Sequence, residues 1–400
     1  CMDSLAYNFD ASATCDDGSC VYCTQTFIDT FFYTGSIQNF IVPDGVTSIN
    51  ITAFGAEGGV HTTSANWSSN VVCNPGKGAM MQGDFIGSPW ISAGDQISFV
   101  VGQQVAPTGN NISGGGGGGT FVWNSTNNYH LLAAGGGGGA GYNTNACNGL
   151  DGVLNICGTQ GNGNGGLGEC GANGGAVSTS SADIFYGSGG GGWSGNGASA
   201  QGGCTGGLAL SAGSTGGSGG YYWNTSGYPD GGNGGYGGGG GAGIAGGGGG
   251  GYSGGGGGGY GYDGGGGGGG GSFNVGTNQN NIAGVRYGNG LVILSYCNYC
   301  VFDDTVFVQP PSSSSSCDGF AMLNTTSNYQ ITSYNWINST GNTVSTTYTA
   351  TNLCNDAYIC TINNSGGCIL IDTIFVGDVY GCTDNTMWNY SPMTNVDDGS

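Results

Sequence analysis

Apolar and polar residues alternate with a period of two along several short segments, which is the pattern of half-buried β-strands. Residues 48–54 (SINITAF) alternate strictly, and residues 96–101 (QISFVV) follow a turn-forming Ala-Gly-Asp. Further strands are predicted at residues 31–42, 120–123, 130–134 and 291–296. Because no segment has a sustained apolar period of 3.6 residues, the sequence predicts an all-β protein.

Runs of glycine interrupt this pattern. Of 400 residues 95 are Gly, and runs at 114–119, 135–139 and 264–271 lie between predicted strands instead of in a tail. Gly-rich sequence without a period is usually a flexible linker. These segments, however, contain cysteines, end in aromatic residues and lack the Lys, Glu and Pro content of solvated linkers. We therefore favour ordered packing over disorder.

Polyglycine II is the ordered structure that such runs can form. Extended left-handed chains with three residues per turn leave their peptide groups free to bond to neighbouring chains. Inter-chain hydrogen bonds would then offset a backbone entropy of about 1–2 kcal/mol per residue. The sequence thus predicts, over residues 26–297, a jelly-roll-like β-sandwich with an inserted polyglycine II helix bundle. Aromatic residues are expected to seal its edges, namely Trp193, Tyr252, Tyr260 and Phe273.

Composition narrows the possible partners. The formal net charge is -21, with 23 Asp+Glu against 2 Lys+Arg. Lys77 and Arg286 alone cannot neutralise a phosphate backbone, so we expect no nucleic-acid partner. The chain has no apolar run of about 18 residues, so we expect no membrane span. It also has no signal peptide, which indicates a mature or cut chain.

The 16 cysteines are spread along the chain without the clustering of metal sites. In so weakly charged a chain they indicate disulfides and an oxidising, extracellular location. Zinc is the alternative, since Cys20-x-x-Cys23 and Cys297-x-x-Cys300 could each be half a site. Neither pair has a histidine nearby, and the disulfide interpretation is preferred.

The two ends of the chain match each other. CMDSLAYNFDASATCDDGS at residues 1–19 aligns without gaps on CTDNTMWNYSPMTNVDDGS at residues 382–400. We predict two short Asp/Cys-rich repeats, at 1–25 and 381–400, each stapled by a disulfide because so small a unit cannot bury a core.

Cys1–Cys20 is the disulfide predicted within the first copy. Cys382 matches Cys1, but the numbered chain ends one residue before the counterpart of Cys20. Either the polypeptide continues past Ser400, or the partner of Cys382 comes from another subunit.

Carboxylates in the first repeat suggest a Ca²⁺ site, because hard cations prefer several oxygen ligands. The alternative is an Asp-Asp-Gly-Ser turn with solvated side chains. One carboxylate of the set becomes Ser391 in the second copy, and the loop lacks EF-hand spacing. The predicted ligands are Asp3, Asp10, Asp16 and Asp17.

Residues 298–380 are predicted to form a small immunoglobulin-like β-sandwich. A linker of serines precedes short β-rich segments with an interior Trp336 and several cysteines, a pattern typical of such modules. The predicted strands are residues 304–308, 331–336, 344–350, 357–362 and 368–376.

The non-glycine residues between the glycine runs occur in an order that resembles known families. The succession AFGAEGG (53–59), GGGGGGTFVW (114–123), LLAAGGGGG (131–139) and GNGLVILSYC (288–297) resembles the glycine-rich ligand-binding domain of anaplastic lymphoma kinase receptors and glycine-rich secreted bacterial proteins. The terminal repeats resemble GCTD…DDGSC repeats of bacterial surface proteins. Residues 317–376 resemble β-sandwich repeats of bacterial gliding-motility adhesins. The resemblances imply binding or structural roles and a polyglycine II bundle.

Covalent glycans are a further expectation. Asp-Ser/Thr-apolar triplets at Ser4, Thr305 and Thr373 resemble an O-glycosylation motif of some bacteria. Asn-x-Ser/Thr sequons give weaker candidates for N-glycans. Those candidates are Asn66, Asn124, Asn224 and Asn338.

Catalytic chemistry is not indicated. His61 and His130 are the only histidines, Glu57 and Glu169 the only glutamates, and no nucleophile–base arrangement can be argued from them. We predict a structural subunit of an extracellular bacterial filament or surface layer, a homopolymer joined head-to-tail through its terminal repeats. The alternative is a secreted adhesin that recognises a carbohydrate or protein through the glycine-rich domain. Ice or mineral binding by a flat polyglycine surface is a third interpretation.

Overall fold

The structure is a computed structural model that describes residues 25–60, 72–106, 112–142, 146–178, 186–220, 231–259, 264–298, 302–327, 329–390 and 396–399. Over these ranges the chain consists of β-strands, turns and extended segments, with no α-helix and one 3-10 turn at Leu210–Ala212. The prediction of an all-β protein is confirmed. The chain divides into a glycine-rich unit, Thr26–Val42 and Val46–Cys297, and a C-terminal unit that begins at Asn298.

Two five-stranded sheets form the scaffold of the glycine-rich unit. The first sheet has the order β1-β10-β3-β4-β9 and the second the order β2-β5-β6-β7-β8. Every pairing in the second sheet is antiparallel, as are β10–β3, β3–β4 and β4–β9 in the first. The strands are β1 Gln25–Phe31, β2 Gln38–Ile41, β3 Ser48–Phe54, β4 Gly78–Ile86, β5 Gln96–Val100, β6 Thr120–Asn124, β7 Tyr129–Ala134, β8 Phe273–Asn274, β9 Ile282–Arg286 and β10 Leu291–Asn298.

One hydrophobic core joins the two sheets. Ile49 and Ile51 of β3 are fully buried, while the alternate Ser48 and Asn50 are only partly buried. Side chains from the second sheet, among them Phe99, complete the same cluster. The period of two in the sequence therefore marks the inward face of each strand.

The glycine segments leave this scaffold at one end. β7 and β8 are paired neighbours, with Ala133 opposite Phe273, although most of the glycine-rich sequence lies between them. The segment after β3 begins at this end, and the segment before β6 returns to it. The last residue of β3 and the first of β6 are in contact there, since the Thr120 hydroxyl donates to the Phe54 carbonyl at 2.6 Å. The sheets thus form a base from which the glycine segments extend and to which they return.

The C-terminal unit has two sheets around a core centred on Trp336. Their orders are β11-β12-β15 and β14-β13-β16-β17, and β18 and β19 form a separate parallel pair. Trp336 is fully buried, and its indole nitrogen donates to the Thr347 carbonyl at 2.8 Å. The strands are β11 Phe302–Gln309, β12 Gly319–Ser327, β13 Ile331–Ile337, β14 Thr343–Ser345, β15 Thr349–Leu353, β16 Asp356–Asn364, β17 Ile369–Val376, β18 Tyr380–Gly381 and β19 Val396–Asp397.

Two predicted strands were wrong because a turn divides each of them. The segment 31–42 is the end of β1 and the whole of β2, separated by bends at residues 35–36. The segment 344–350 is divided between β14 and β15, which lie in different sheets. There the Ser345 and Thr347 hydroxyls both donate to the Thr349 carbonyl and stabilise the change of direction. Six strands, β4, β8, β9, β12, β18 and β19, had not been predicted.

Disulfides are present in both units. Cys73 pairs with Cys147 and Cys157 with Cys170 in the glycine-rich unit. Cys317 pairs with Cys354 in the C-terminal unit. Cys297 and Cys368 are disulfide-bonded as well.

No helix in the described ranges is long and apolar enough to cross a membrane.

Candidate functional site

Buried extended segments of glycine form the interior beyond the sheets. Residues 114–119, 135–141, 246–251 and 264–271 are buried throughout and adopt neither helix nor strand. Each backbone amide must find a partner, because a buried and unpaired N–H group costs about as much as a lost hydrogen bond. The partners come from other glycine segments.

Hydrogen bonds along residues 246–251 repeat every three residues. Successive amides donate to three different segments, 264–271, 114–119 and 187–192, and the fourth amide returns to the first. Two amides three residues apart reach carbonyls three residues apart in the same neighbour. The pairs are Gly246–Gly265 at 2.9 Å, Gly249–Gly268 at 2.9 Å, Gly247–Gly114 at 3.1 Å, Gly250–Gly117 at 3.0 Å, Gly248–Ser188 at 2.9 Å and Gly251–Gly191 at 3.2 Å.

The segment 135–141 follows the same rule with other neighbours. Its amides donate in turn to residues 246–251, to residues 55–59 and to Leu150. The pairs are Gly136–Gly250 at 2.8 Å, Gly139–Gly247 at 2.8 Å, Gly137–Ala56 at 2.9 Å, Ala140–Gly59 at 3.0 Å and Gly138–Leu150 at 2.8 Å. Each glycine segment is therefore bonded on several sides, unlike a β-strand, which bonds on two.

Many positions in this interior admit only glycine. A Cβ atom on Gly116 would lie 1.9 Å from the carbonyl oxygen of Gly248, and one on Gly137 would lie 1.9 Å from that of Gly76. Real Cβ atoms do not approach other atoms that closely, so a larger residue would have to displace a neighbouring backbone.

Aromatic residues close one edge of the glycine segments. Trp193, Tyr252 and Phe273 each follow a glycine segment in the sequence and converge in one cluster. The Tyr252 and Phe273 rings stack at 4.6 Å, and Trp193 lies 6.3 Å from Tyr252. His130 stacks on Trp193 at 3.9 Å, and its burial lowers the pKa of the imidazole. His130 is packed against Trp193, while Tyr260 lies outside the described residues.

The second terminal repeat exposes several large apolar side chains within a few residues. Trp388 is 97% exposed, and Tyr380, Met387 and Tyr390 are exposed as well. The nearby Asp384 carboxylate accepts from the amide and hydroxyl of Thr386, which lowers its pKa and fixes a turn. The sequence marked this segment as a repeat but did not indicate that its aromatic side chains face solvent.

The predicted calcium and disulfide sites lie mostly outside the described residues. This applies to Asp3, Asp10, Asp16, Asp17, Cys1 and Cys20, so calcium and the Cys1–Cys20 bridge stay predictions. In the second copy Asp397 is exposed and accepts from the Gly399 amide at 3.0 Å, as in a solvated turn. Cys382 is buried, with its sulfur 3.9 Å from the Asp384 carbonyl. Within the described ranges no group of three His, Cys, Asp or Glu could hold a metal ion.

One predicted glycosylation site is wrong. Asn124 is fully buried, and its amide nitrogen donates to the Trp90 carbonyl at 2.9 Å and to Asp95 at 2.7 Å. A glycan on this nitrogen cannot be accommodated in the folded chain.

The other predicted acceptors differ in accessibility. Thr305 of β11 and Thr373 of β17 are exposed, and Asn338 is half-buried in a turn that its own side chain stabilises. Ser4, Asn66 and Asn224 lie outside the described residues.

Two carboxylates meet in the C-terminal unit, a contact that no pattern in the sequence indicates. Asp304 of β11 and Asp372 of β17 immediately precede the two exposed threonines. Partial burial and the neighbouring Asp304 raise the pKa of the Asp372 carboxyl. No Lys or Arg occurs in this unit to balance the pair.

Two buried thiols offer no nucleophile at neutral pH. Burial raises the pKa of Cys204 and raises that of Cys360 to about 12. Because the thiolate is the reactive form, both side chains act as small packing residues.

No protein-family model matches this sequence, and no curated protein matches it.

Replacing Gly116 with Ala should destabilise the glycine-rich unit by about 3 kcal/mol or more, the upper part of the overpacking range, because backbone would have to move. Thermal and denaturant unfolding of the full chain measure the loss. Gly94→Ala is the control. Gly94 lies in an exposed turn, and no atom lies within 4 Å of a Cβ added there. Its positive φ of 81° should cost only about 1–2 kcal/mol. Equal losses in the two variants would contradict the packing described here.

Replacing Asp372 with Asn should stabilise the C-terminal unit at pH 7 but not at pH 3. A carboxyl whose pKa is raised by folding favours the folded state below its unfolded pKa, and this contribution is lost as pH rises through the folded pKa. The amide of the Asp372→Asn variant does not ionise, so the folded state does not lose stability at this position as pH rises. Unfolding of the full chain followed by calorimetry at both pH values measures the difference.

Asp303→Asn is the matched control. Asp303 is exposed on the same strand as Asp304, and its substitution also removes one negative charge. If both variants shift the melting temperature equally at pH 7, general charge repulsion, and not the Asp304–Asp372 contact, is the cause.

Proposed function

We propose that this protein is a structural subunit of an extracellular bacterial filament or surface layer, which assembles head-to-tail through its terminal repeats. The observation that carries the proposal is the exposed aromatic surface of the second repeat, centred on Trp388. Trp and Tyr are enriched in the energetically dominant centres of protein interfaces. A fully solvated Trp beside other exposed apolar residues is typical of a surface that another protein covers.

The first repeat has aromatic residues at the corresponding positions. Tyr7 aligns with Trp388, and Phe9 aligns with Tyr390. These matching positions support a role for both repeats in contacts between copies, and a contact between different surfaces of two copies generates open filaments when the rotation between subunits does not close a ring.

We infer that the glycine segments form a polyglycine II bundle on a jelly-roll-like β-sandwich. The three-residue repeat of their hydrogen bonds supports this, because polyglycine II has three residues per turn and bonds outward. We likewise infer an immunoglobulin-like β-sandwich for the C-terminal unit, from its two sheets around Trp336. A backbone that is hydrogen-bonded on several sides and crosslinked by disulfides would make the subunit rigid.

An extracellular location is part of the proposal. Disulfides in both units support it, since they persist mainly in oxidising compartments. Glycans on Thr305 and Thr373 are consistent with the exposure of both side chains.

Replacing Trp388 with Ala should weaken assembly of the full chain. Loss of an interface residue worth about 2 kcal/mol raises the concentration needed for assembly about thirtyfold. Sedimentation velocity across a concentration series measures this, with negative-stain microscopy to show the form of the assemblies. Tyr348→Ala is the control, because Tyr348 is 55% exposed but lies in the C-terminal unit outside the repeat.

Dispersed monomers of the unmodified chain at all concentrations would contradict the filament proposal. If that monomeric chain instead bound a glycan array, the ligand-binding adhesin would be the better account.

A further inference from the structure

The only two lysine or arginine residues of the chain lie where the ends of β4 and β9 pair. Lys77 immediately precedes β4, and Arg286 ends β9, where it is paired with Gly78. Because the two residues are far apart in sequence, only the β4–β9 pairing brings them together. We call the surface formed by Lys77, Arg286 and the exposed side chains of β9 the cationic edge.

Both cations rest on aromatic rings. The Lys77 ammonium is 4.5 Å from the centre of the Tyr287 ring, and the Arg286 guanidinium is 5.6 Å from that of Phe54. Such contacts hold a cation in place and leave its other side open. The Tyr287 hydroxyl also raises the pKa of Lys77, which keeps the ammonium charged.

Two carboxylates lie near the cationic edge, but each is already bonded to amide groups. Asp151 accepts from the backbone amide of Lys77 at 2.7 Å. Glu57 accepts from the side chain of Gln104 at 2.9 Å and from the Gly288 amide at 3.0 Å. They limit the local positive charge at the cationic edge.

The cationic edge is also the outer edge of a sheet. Among the described strands, β9 is the last of the first sheet and pairs only with β4. Its Ile282 and Val285, and Tyr287 next to it, are exposed by 43%, 38% and 61%. An exposed edge strand with apolar side chains can pair with another chain, and interface centres are rich in Tyr and Arg.

Charge decides which chain can dock there. Two copies that each carry a net charge of -21 repel each other over most of their surfaces. Opposite charges meet only where an acidic part of one copy reaches Lys77 and Arg286 of the other. The second terminal repeat offers such a part, because Asp397 and Asp398 are exposed and Trp388 is fully solvated.

We propose that the cationic edge is the docking site for the second terminal repeat of another copy of this chain. Asp397 and Asp398 face Lys77 and Arg286, while the aromatic residues of the repeat cover the apolar side chains of β9. Like-charge repulsion elsewhere then fixes the register of the contact, as in other interfaces where repulsion excludes wrong arrangements. The inference rests on the proposed assembly and names the surface that receives the repeat.

Carbodiimide crosslinking tests the contact directly, because Lys77 is the only lysine. The reagent joins an amine to a carboxylate in direct contact without a spacer. Equal amounts of full chain with natural and heavy nitrogen are mixed, crosslinked and analysed by mass spectrometry, so that crosslinks between copies carry mixed labels. The expected product joins Lys77 of one copy to Asp397 or Asp398 of another. Crosslinks from Lys77 to Asp151 within one copy verify that the reagent has worked.

The double variant Lys77→Gln/Arg286→Gln gives the second arm. It should raise the concentration needed for assembly tenfold or more, with unchanged circular dichroism. Reversing the charges on both sides, with Lys77→Glu/Arg286→Glu and Asp397→Lys/Asp398→Lys in the same chain, should restore assembly.

The outcomes separate this inference from the proposed function. Assembly in which Lys77 forms no crosslink to the repeat of another copy, and which tolerates the double variant, overturns the docking site and leaves the filament proposal standing. Failure of the unmodified chain to assemble, with Lys77 crosslinked only within its own copy, overturns both.

Discussion

The structure of the glycine-rich unit depends on one steric fact, the absence of Cβ atoms along its buried segments. Ordering a residue costs about 1–2 kcal/mol of backbone entropy, and a net hydrogen bond contributes about 0.5–1.5 kcal/mol. Hydrogen bonds alone therefore roughly balance the entropy. Without side chains, however, the backbones approach closely enough to add dispersion contacts on several sides. A single Cβ at Gly116 would separate segments that bond to it from different directions.

The β-sheets and the aromatic cluster follow from that constraint. Long extended segments need fixed ends, and the strands β7 and β8 provide them by pairing side by side while the segments between them extend away. The aromatic residues Trp193, Tyr252 and Phe273 pack against the second sheet and cover backbone that glycine cannot cover itself. Disulfides such as Cys73–Cys147 restrict the unfolded chain and favour the ordered state further. The remaining surface has only two cationic side chains, Lys77 and Arg286, so negative charge dominates it.

Much of the scaffold was predictable because its residues follow a simple period. The alternation in residues 48–54 gave β3 with its correct ends, and the strands at 96–100 and 291–296 were recognisable in the same way. β4 was missed because Gly78, Gly83 and polar residues dilute its alternation, and its burial comes from packing against both neighbours. The contact between Asp304 and Asp372 and the burial of Asn124 depend on how distant strands meet. The candidate site was foreseen only as a repeat, since exposure of Trp388 is a property of the fold.

Hydrogen–deuterium exchange of the glycine segments tests the central claim most directly. Full chain is exchanged at neutral pH, and peptides covering residues 246–251 and 264–271 are compared with a peptide covering β3. If the glycine amides are bonded as described, they exchange as slowly as those of β3, because each must wait for the same cooperative opening. Exchange of the glycine amides at the rate of an unstructured chain, while β3 stays protected, would contradict an ordered glycine interior.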